Sequence, residues 1–200
     1  MKQKRIQAIR GLVILLLYAG GRSWAYAGEP LGIVKTAADK AIQILRDTHL
    51  RSNDKKQERI ERLKEVLDPI FDYDEMAKRA LGPHWRRRTP AEQEEFVKLF
   101  RDFLEKIYSD KVNLYERQKV IFGRETIEKN FAEVESTMVN TKGEEISVVY
   151  RLRRADGKWK VYDALVENVS IINNYRSQFD RILSKHSFDE LKKLLRDKVA

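Results

Sequence analysis

The chain has 200 residues, 42% of them hydrophobic and 36% charged, a composition that suits one globular domain with a real core and excludes a disordered or fibrous protein. Its formal charge of +9 overstates the basic character of the body, because Lys2, Lys4, Arg5, Arg10 and Arg22 belong to the first 27 residues, which hold no acid; the remainder carries 35 − 31 = +4. So small a surplus, spread among many carboxylates, argues against a nucleic-acid role, which needs a concentrated basic stripe.

In chain order, Met1 to Ala27 reads as a cleavable export signal: a basic start, an apolar run from Leu12 to Ala19, and the small-x-small pattern Ala25-Tyr26-Ala27. The apolar run is too short to span a bilayer, which takes roughly 18 to 20 residues. The chain has no cysteine, hence no disulfide framework and no thiol for a lipid anchor. Residues 28–200 are therefore expected to form a single soluble periplasmic domain.

Val34, Ala38, Ala41 and Leu45 mark one amphipathic helix, and Ile60, Leu63, Val66 and Leu67 a second, ended at Asp68-Pro69. A short helix is expected over Tyr73 to Leu81, stopped by Gly82-Pro83. Thr89 as N-cap, Pro90 at the first helical position and Glu92 closing a capping box then open a long helix whose Phe96, Phe100, Phe103, Leu104, Ile107 and Tyr108 load one broad face. Four β-type runs follow, Lys119 to Gly123, Ala132 to Asn140, Glu145 to Arg153 and Lys158 to Val166, separated by turn sequences that favour antiparallel hairpins. Ile146, Val148, Tyr150 and Leu152 share one face, and strict alternation puts Trp159, Val161 and Leu165 together. A helix from Ser170 to Lys185 and a last one opened by a Ser187/Glu190 capping box complete the chain. The expected fold is α+β: a helical layer packed on a curved antiparallel sheet of about four strands, enclosing an apolar pocket where the filling is incomplete.

Motifs for chemistry are scarce. His49, His84 and His186 lie in unrelated contexts, and no Gly-x-Ser-x-Gly elbow, histidine pair at metal-ligand spacing or Gly-rich phosphate loop is present. The helical carboxylates fall among lysines and arginines, as on a solvated face. Nothing here demands an enzyme, a cofactor or a metal. Asp163, an acid inside an apolar strand, needs a partner, and Arg176 on the following helix is the candidate for a structural ion pair.

Two stretches carry a resemblance. From Phe71 to Tyr115 the order is Phe71-Asp72-Tyr73, Met76-Ala77, Leu81-Gly82, Trp85, Thr89-Pro90, Phe96, Phe100 and Tyr108; from Trp159 it is Val161-Tyr162-Asp163, Val169-Ser170, Tyr175-Arg176 and Phe179. Together they resemble the toluene-tolerance, MlaC-like family of periplasmic lipid-binding proteins. Asn168 stands where many members carry glycine, which bears on the geometry of that turn.

The resemblance implies a phospholipid carrier that takes acyl chains into a deep apolar pocket, leaves the head group outside, and works with an inner-membrane ABC transporter complex and an outer-membrane lipid complex. Such a carrier answers a physical need, since exposing about 28 methylenes of tail at about 0.8 kcal/mol each costs on the order of 20 kcal/mol. The expected lining is Phe100, Leu104, Tyr108, Tyr150, Leu152, Val161, Val169, Ile172 and Tyr175, with phospholipid as cargo rather than cofactor. A carrier of hopanoid-type polycyclic lipids and a non-enzymatic adaptor module of a membrane complex are the alternatives. Docking to membrane complexes is expected to involve Arg86, Arg87, Arg88 and the lysine-rich last helix.

Overall fold

Asp72 sets the first boundary that matters for the site. Its carboxylate accepts the Glu75 amide at 3.1 Å, capping the helix that follows, and Arg153 from the sheet donates to it at 2.7 Å. Its own amide donates to the carbonyl of Val161 at 2.8 Å, beside a parallel bridge between Phe71 and Val161. One acidic residue thus starts a helix and ties that start to a strand.

The computed structural model describes residues 29–50, 52–111 and 118–199; the expected leader lies outside them. Four helices come first, α1 at Glu29–Arg46, α2 at Lys56–Leu67, α3 at Tyr73–Leu81 and α4 at Pro90–Lys111. Five strands follow, β1 at Lys119–Glu128, β2 at Phe131–Val139, β3 at Glu145–Ala155, β4 at Lys158–Val166 and β5 at Val169–Ser170. Helices α5, at Ile171–Leu183, and α6, at Phe188–Val199, come last. All strand pairs are antiparallel, and the spatial order follows the chain, β1-β2-β3-β4-β5. The α+β class is as expected, with one strand more than the four anticipated.

Local chemistry accounts for the element ends. Thr89 and Glu92 close their capping box, the Thr89 amide donating to Glu92 Oε2 at 2.7 Å and the Glu92 amide to Thr89 Oγ1 at 3.3 Å. Ser187 and Glu190 repeat the device at 2.7 and 3.2 Å. β5 has no signature in the sequence, because two residues are too few for alternation to show. It is reached through a tight turn in which Glu167 and Asn168 both adopt positive φ, 49° and 62°. Asparagine tolerates that region better than most residues, so the expected glycine is dispensable.

Two of the three long hairpins carry a bulge, and the β2–β3 pairing between them is unbroken. On β1 the register passes from Phe122↔Ser136 to Glu125↔Val134, so Gly123 and Arg124 face a single residue and the strand runs on to Glu128 rather than stopping at Gly123. On β4 it passes from Arg151↔Asp163 to Leu152↔Val161, leaving Tyr162 unpaired. The extra residue inverts the alternation. Ala164 and Val166, paired with Tyr150 and Val148, join the face of Val161, and Leu165 turns to the other side, contrary to strict alternation.

The core has two parts. α1 lays Val34 on the sheet against Ala132, Val134, Leu152, Trp159 and Val161. The second part is helical and aromatic: Phe96, Phe100, Phe103, Phe179 and Phe188 from α4, α5 and α6, with Met76, Ala77 and Ala80 of α3. Ring centroids 5.7 to 5.9 Å apart put Phe179 edge-on to both Phe96 and Phe100. Phe71 packs against both parts. No helix among the described residues is long and apolar enough to cross a membrane.

Candidate functional site

Between the helical core and the outer end of β4 lies a cleft of about 450 Å³, within the roughly 300–1,000 Å³ typical of small-molecule sites. Each wall follows from a feature already described. The cap at Asp72 fixes α3 so that Tyr73 and Met76 form one side, the broad apolar face of α4 supplies Leu104 and Ile107, and the bulge at Tyr162 turns Ala164 and Val166 inward. α5 contributes Ile171, Asn174 and Tyr175, and Phe71 closes the end toward α1.

The lining is nearly all hydrocarbon. Tyr73 turns only its ring to the cleft; its hydroxyl donates to Asp68 at 2.9 Å, and the Arg101 guanidinium stands 5.1 Å over the ring. Tyr175 packs edge-on against Phe103 and Phe100, at 5.3 and 5.7 Å, so it divides the cleft from the aromatic core. Burial pushes the phenols of Tyr175 and Tyr150 above their ordinary value of 10.0, which keeps both neutral. Asn174 is the one amide in the lining, on an exposed turn of α5. Two hollows of about 550 and 600 Å³ are more polar: Lys64, Asp102 and Glu105 line one, and in the other Asp74, Lys98 and Lys160 stand among Trp85, Val97 and the outer sides of Phe71 and Tyr73.

Of the residues singled out from the sequence, the structure brings Leu104 and Tyr175 together in the cleft. Phe100 stands directly behind Tyr175, fully buried. Ile172 belongs to the helical core, and Leu152 and Val161 are packed under α1. Tyr150 is half-buried on the sheet face, paired with Ala164. Val169 is 61% exposed on β5. Tyr108 lies in α4, its side chain outside the described residues. Sequence reasoning passed over Phe71, Tyr73, Met76, Ile107, Ala164, Val166, Ile171 and Asn174; the alternation of Ile146, Val148 and Tyr150 was the available clue to that face, but only the bulge register says which β4 residues share it.

The Asp163–Arg176 ion pair is replaced by a different arrangement. Asp163 accepts from the Ser170 hydroxyl at 2.6 Å and the Ile172 amide at 3.1 Å, and Arg151 on the neighbouring strand stands 3.8 Å away. The carboxylate therefore caps the N-terminus of α5. Arg176 instead lies across Gly82, whose φ is +54°; a Cβ there would meet Arg176 Nε at 2.7 Å. That close approach explains the glycine of the Leu-Gly-Pro segment. Among the described residues no group of three or more His, Cys, Asp or Glu is placed to hold a metal ion.

A profile of the family described as MlaC protein matches residues 35–197. The chain belongs to the MlaC family. It is 25% identical over 130 residues to the "Intermembrane phospholipid transport system binding protein MlaC" of Haemophilus influenzae, an alignment covering 62% of this chain and 61% of that protein. It is 24% identical over 129 residues to the "Toluene tolerance protein ttg2D" of Pseudomonas putida, covering 64% and 60%. The chain thus spans about three fifths of the length of the curated relatives it matches. A solved phospholipid-binding protein of Ralstonia solanacearum, in complex with a phospholipid, superimposes with a TM-score of 0.76 over 86% of this chain and 97% of that one, at 24% identity, which establishes a shared fold. Both motif stretches of the resemblance fall within the MlaC match, and they supply Phe71, Tyr73, Met76 and Tyr175 to the cleft.

Proposed function

We propose that this MlaC-family protein is a non-enzymatic carrier of phospholipid in the bacterial periplasm, delivered there by cleavage of the Met1 to Ala27 leader. It takes acyl chain into the cleft between α3, α4, α5 and β4 and moves the lipid between an outer-membrane complex and an inner-membrane ABC transporter complex. The observation that carries the reading is the cleft itself: about 450 Å³ of space that a filled core would have closed, lined by aliphatic and aromatic carbon with one amide at its edge. The names of the relatives, a phospholipid transport binding protein and a phospholipid-bound structure of the same fold, point the same way.

Holding and releasing a lipid makes or breaks no covalent bond, so the side chains act through desolvation and shape. Each tail methylene that enters is worth about 0.8 kcal/mol. Beyond Val166 the same face of the sheet continues over buried Val148 to half-buried Phe122 and Met138, a path for the rest of a tail or for a second one. The head group stays at the rim by Asn174, so recognition reads tail volume more than head-group identity.

Native mass spectrometry with lipid extraction, on protein purified from periplasm without detergent, tests this directly. A two-tailed phospholipid bound in stoichiometric amount is the expected result. A polycyclic lipid would move the cargo to the hopanoid type. Protein that is empty and also refuses added lipid would overturn the carrier reading in favour of an adaptor module.

A further inference from the structure

The arginines of this protein are not distributed at random with respect to acids. Among the described residues only Arg86, Arg87, Arg176 and Arg181 have no carboxylate partner or other polar contact, and all four are exposed. The remaining arginines are engaged, most of them in ion pairs such as Arg153 with Asp72 and Arg101 with Glu105. The four free ones lie on two adjoining segments, α5 and the turn packed beside it. Arg176 lies across Gly82, and His84 in the same turn is 2.8 Å from Asp180 on α5, so the Gly82–Arg87 turn runs along α5 with Arg86 and Arg87 at its end and Arg181 next to Asp180. The acids closest along the chain are occupied, Asp180 by His84, Glu190 by the Ser187 cap and Asp189 by Lys192.

We propose that this face, the Gly82–Arg87 turn with the outer side of α5, docks on the anionic phosphate layer of a phospholipid membrane. Guanidinium groups are weakly hydrated forks suited to phosphate oxygens, and leaving four of them unpaired on two adjoining segments of a protein otherwise rich in ion pairs makes a local positive field. The surface reaches the cleft. Arg181 follows the rim residue Asn174 by seven positions, on the same side of the helix, while Arg176, two positions from Asn174, lies on the other flank, over Gly82. With 13 residues α5 is roughly 20 Å long, so laid flat on the side of Asn174 it would present Arg181 toward its end and the cleft rim near its start.

A membrane is favoured over an acidic protein surface by what stands at that start. Val166 and Val169, on either side of the Glu167–Asn168 turn, are 38% and 61% exposed. A bilayer offers both phosphates for the arginines and an apolar layer beneath for the valines, the pairing of two weak signals that gives stable membrane association. An acidic protein surface would satisfy the arginines alone.

The purpose of this docking rests on the carrier reading, but its test does not. Flotation of the purified protein is measured on vesicles of phosphatidylcholine with and without phosphatidylglycerol, at low and high salt. Arg86→Gln/Arg87→Gln/Arg181→Gln is compared with Lys129→Gln/Lys142→Gln/Lys158→Gln, which removes the same charge from the hairpin turns; Arg176 is kept because it packs on Gly82. At about fivefold per cation at a membrane surface, the arginine variant should bind anionic vesicles on the order of a hundredfold more weakly, while the lysine variant changes by less than about threefold. Val169→Glu should weaken binding as well. Equal losses in both charge variants would reduce the effect to net charge and overturn the proposal. So would wild-type protein that floats no better with anionic than with neutral vesicles, and in that case loss of lipid delivery in cells by the arginine variant would assign the face to an acidic protein instead. Lipid content of each preparation, read by mass spectrometry, reports on the carrier reading separately: an arginine variant that stays loaded yet fails to dock isolates the surface from the cleft.

Discussion

Replacing Ala164 by phenylalanine should empty the cleft without unfolding the protein. Ala164 is half-buried on β4, lines the cleft, and faces open space where a packed core would offer none. A ring added there displaces roughly five methylenes of acyl chain; at about 0.8 kcal/mol each, binding weakens by on the order of 4 kcal/mol, close to a thousandfold. Overpacking in a filled core costs typically 1–3 kcal/mol, and into existing space the cost falls to the low end. The assay is lipid retained after detergent-free purification, read by native mass spectrometry, alongside urea denaturation of the same samples. Leu165→Gln is the matched control, because the bulge at Tyr162 sends Leu165 to the opposite face. An Ala164→Phe protein that carries lipid at wild-type stoichiometry, or a Leu165→Gln protein that is folded but empty, would refute both the assignment of the cleft and the register argument behind it.

Asp163→Ala strands the Ile172 amide and removes a buried charge from Arg151 and the α5 N-terminus, so it should cost roughly 3 kcal/mol in urea unfolding, whereas Arg176→Gln should stay within about 0.5 kcal/mol. The reverse order would restore the pairing of Asp163 with Arg176. Gly82→Ala forces a side chain into positive φ and against Arg176 Nε, and should destabilise by about 1–3 kcal/mol; adding Arg176→Ala should recover only the collision and leave the backbone strain. Glu92 and Glu190 are held below the ordinary 4.5 chiefly by the backbone amides of Thr89 and Ser187, and Glu95 by Lys192. Depressed acids give their stabilisation in full above 4.5 and lose it as pH falls below. The double variant Glu92→Gln/Glu190→Gln should therefore show a flatter dependence of stability on pH between about pH 3 and 6, and an unchanged slope would remove the two boxes from the acid response.

What the sequence made legible is what neighbouring residues decide among themselves. The ends of α3, the start of α4, the Ser187 box and both ends of β4 follow from caps, prolines and short alternating runs, and the structure reproduces them. The bulge at Tyr162 leaves no such local mark, since its cause is the pairing of β4 with β3 under α1 and beside Phe71. One unpaired residue then exchanges Leu165 for Ala164 and Val166 in the lining. Asp163 is similar: that it needed a partner was plain from its apolar surroundings, but the partner is the start of α5, placed there by a two-residue turn that returns the chain alongside β4. Val169 is expected in the lining together with Ile172 and Tyr175, but it lies before their helix begins, on an exposed strand. Spacing identifies residues that share a face; which faces enclose a space depends on how elements far apart in the chain are joined.

The division of the core explains how such a space can persist. The aromatic cluster of α4, α5 and α6 fills itself with stacked and edge-on rings, the half-buried Tyr162 of β4 packing against it from the sheet. The second cluster is likewise complete once α1 covers Ala132, Val134, Leu152 and Trp159. The two are fastened by polar and backbone links at one end, Arg153 to Asp72 and Asp72 to Val161, and by the Asp163 cap at the other. Directional bonds of this kind hold two bodies at a set separation, where apolar contact alone would draw them together and close the gap. Each cluster thereby keeps its own packing when the cleft is empty. A carrier needs that property, because it must be equally folded before it takes up a lipid and after it gives one away.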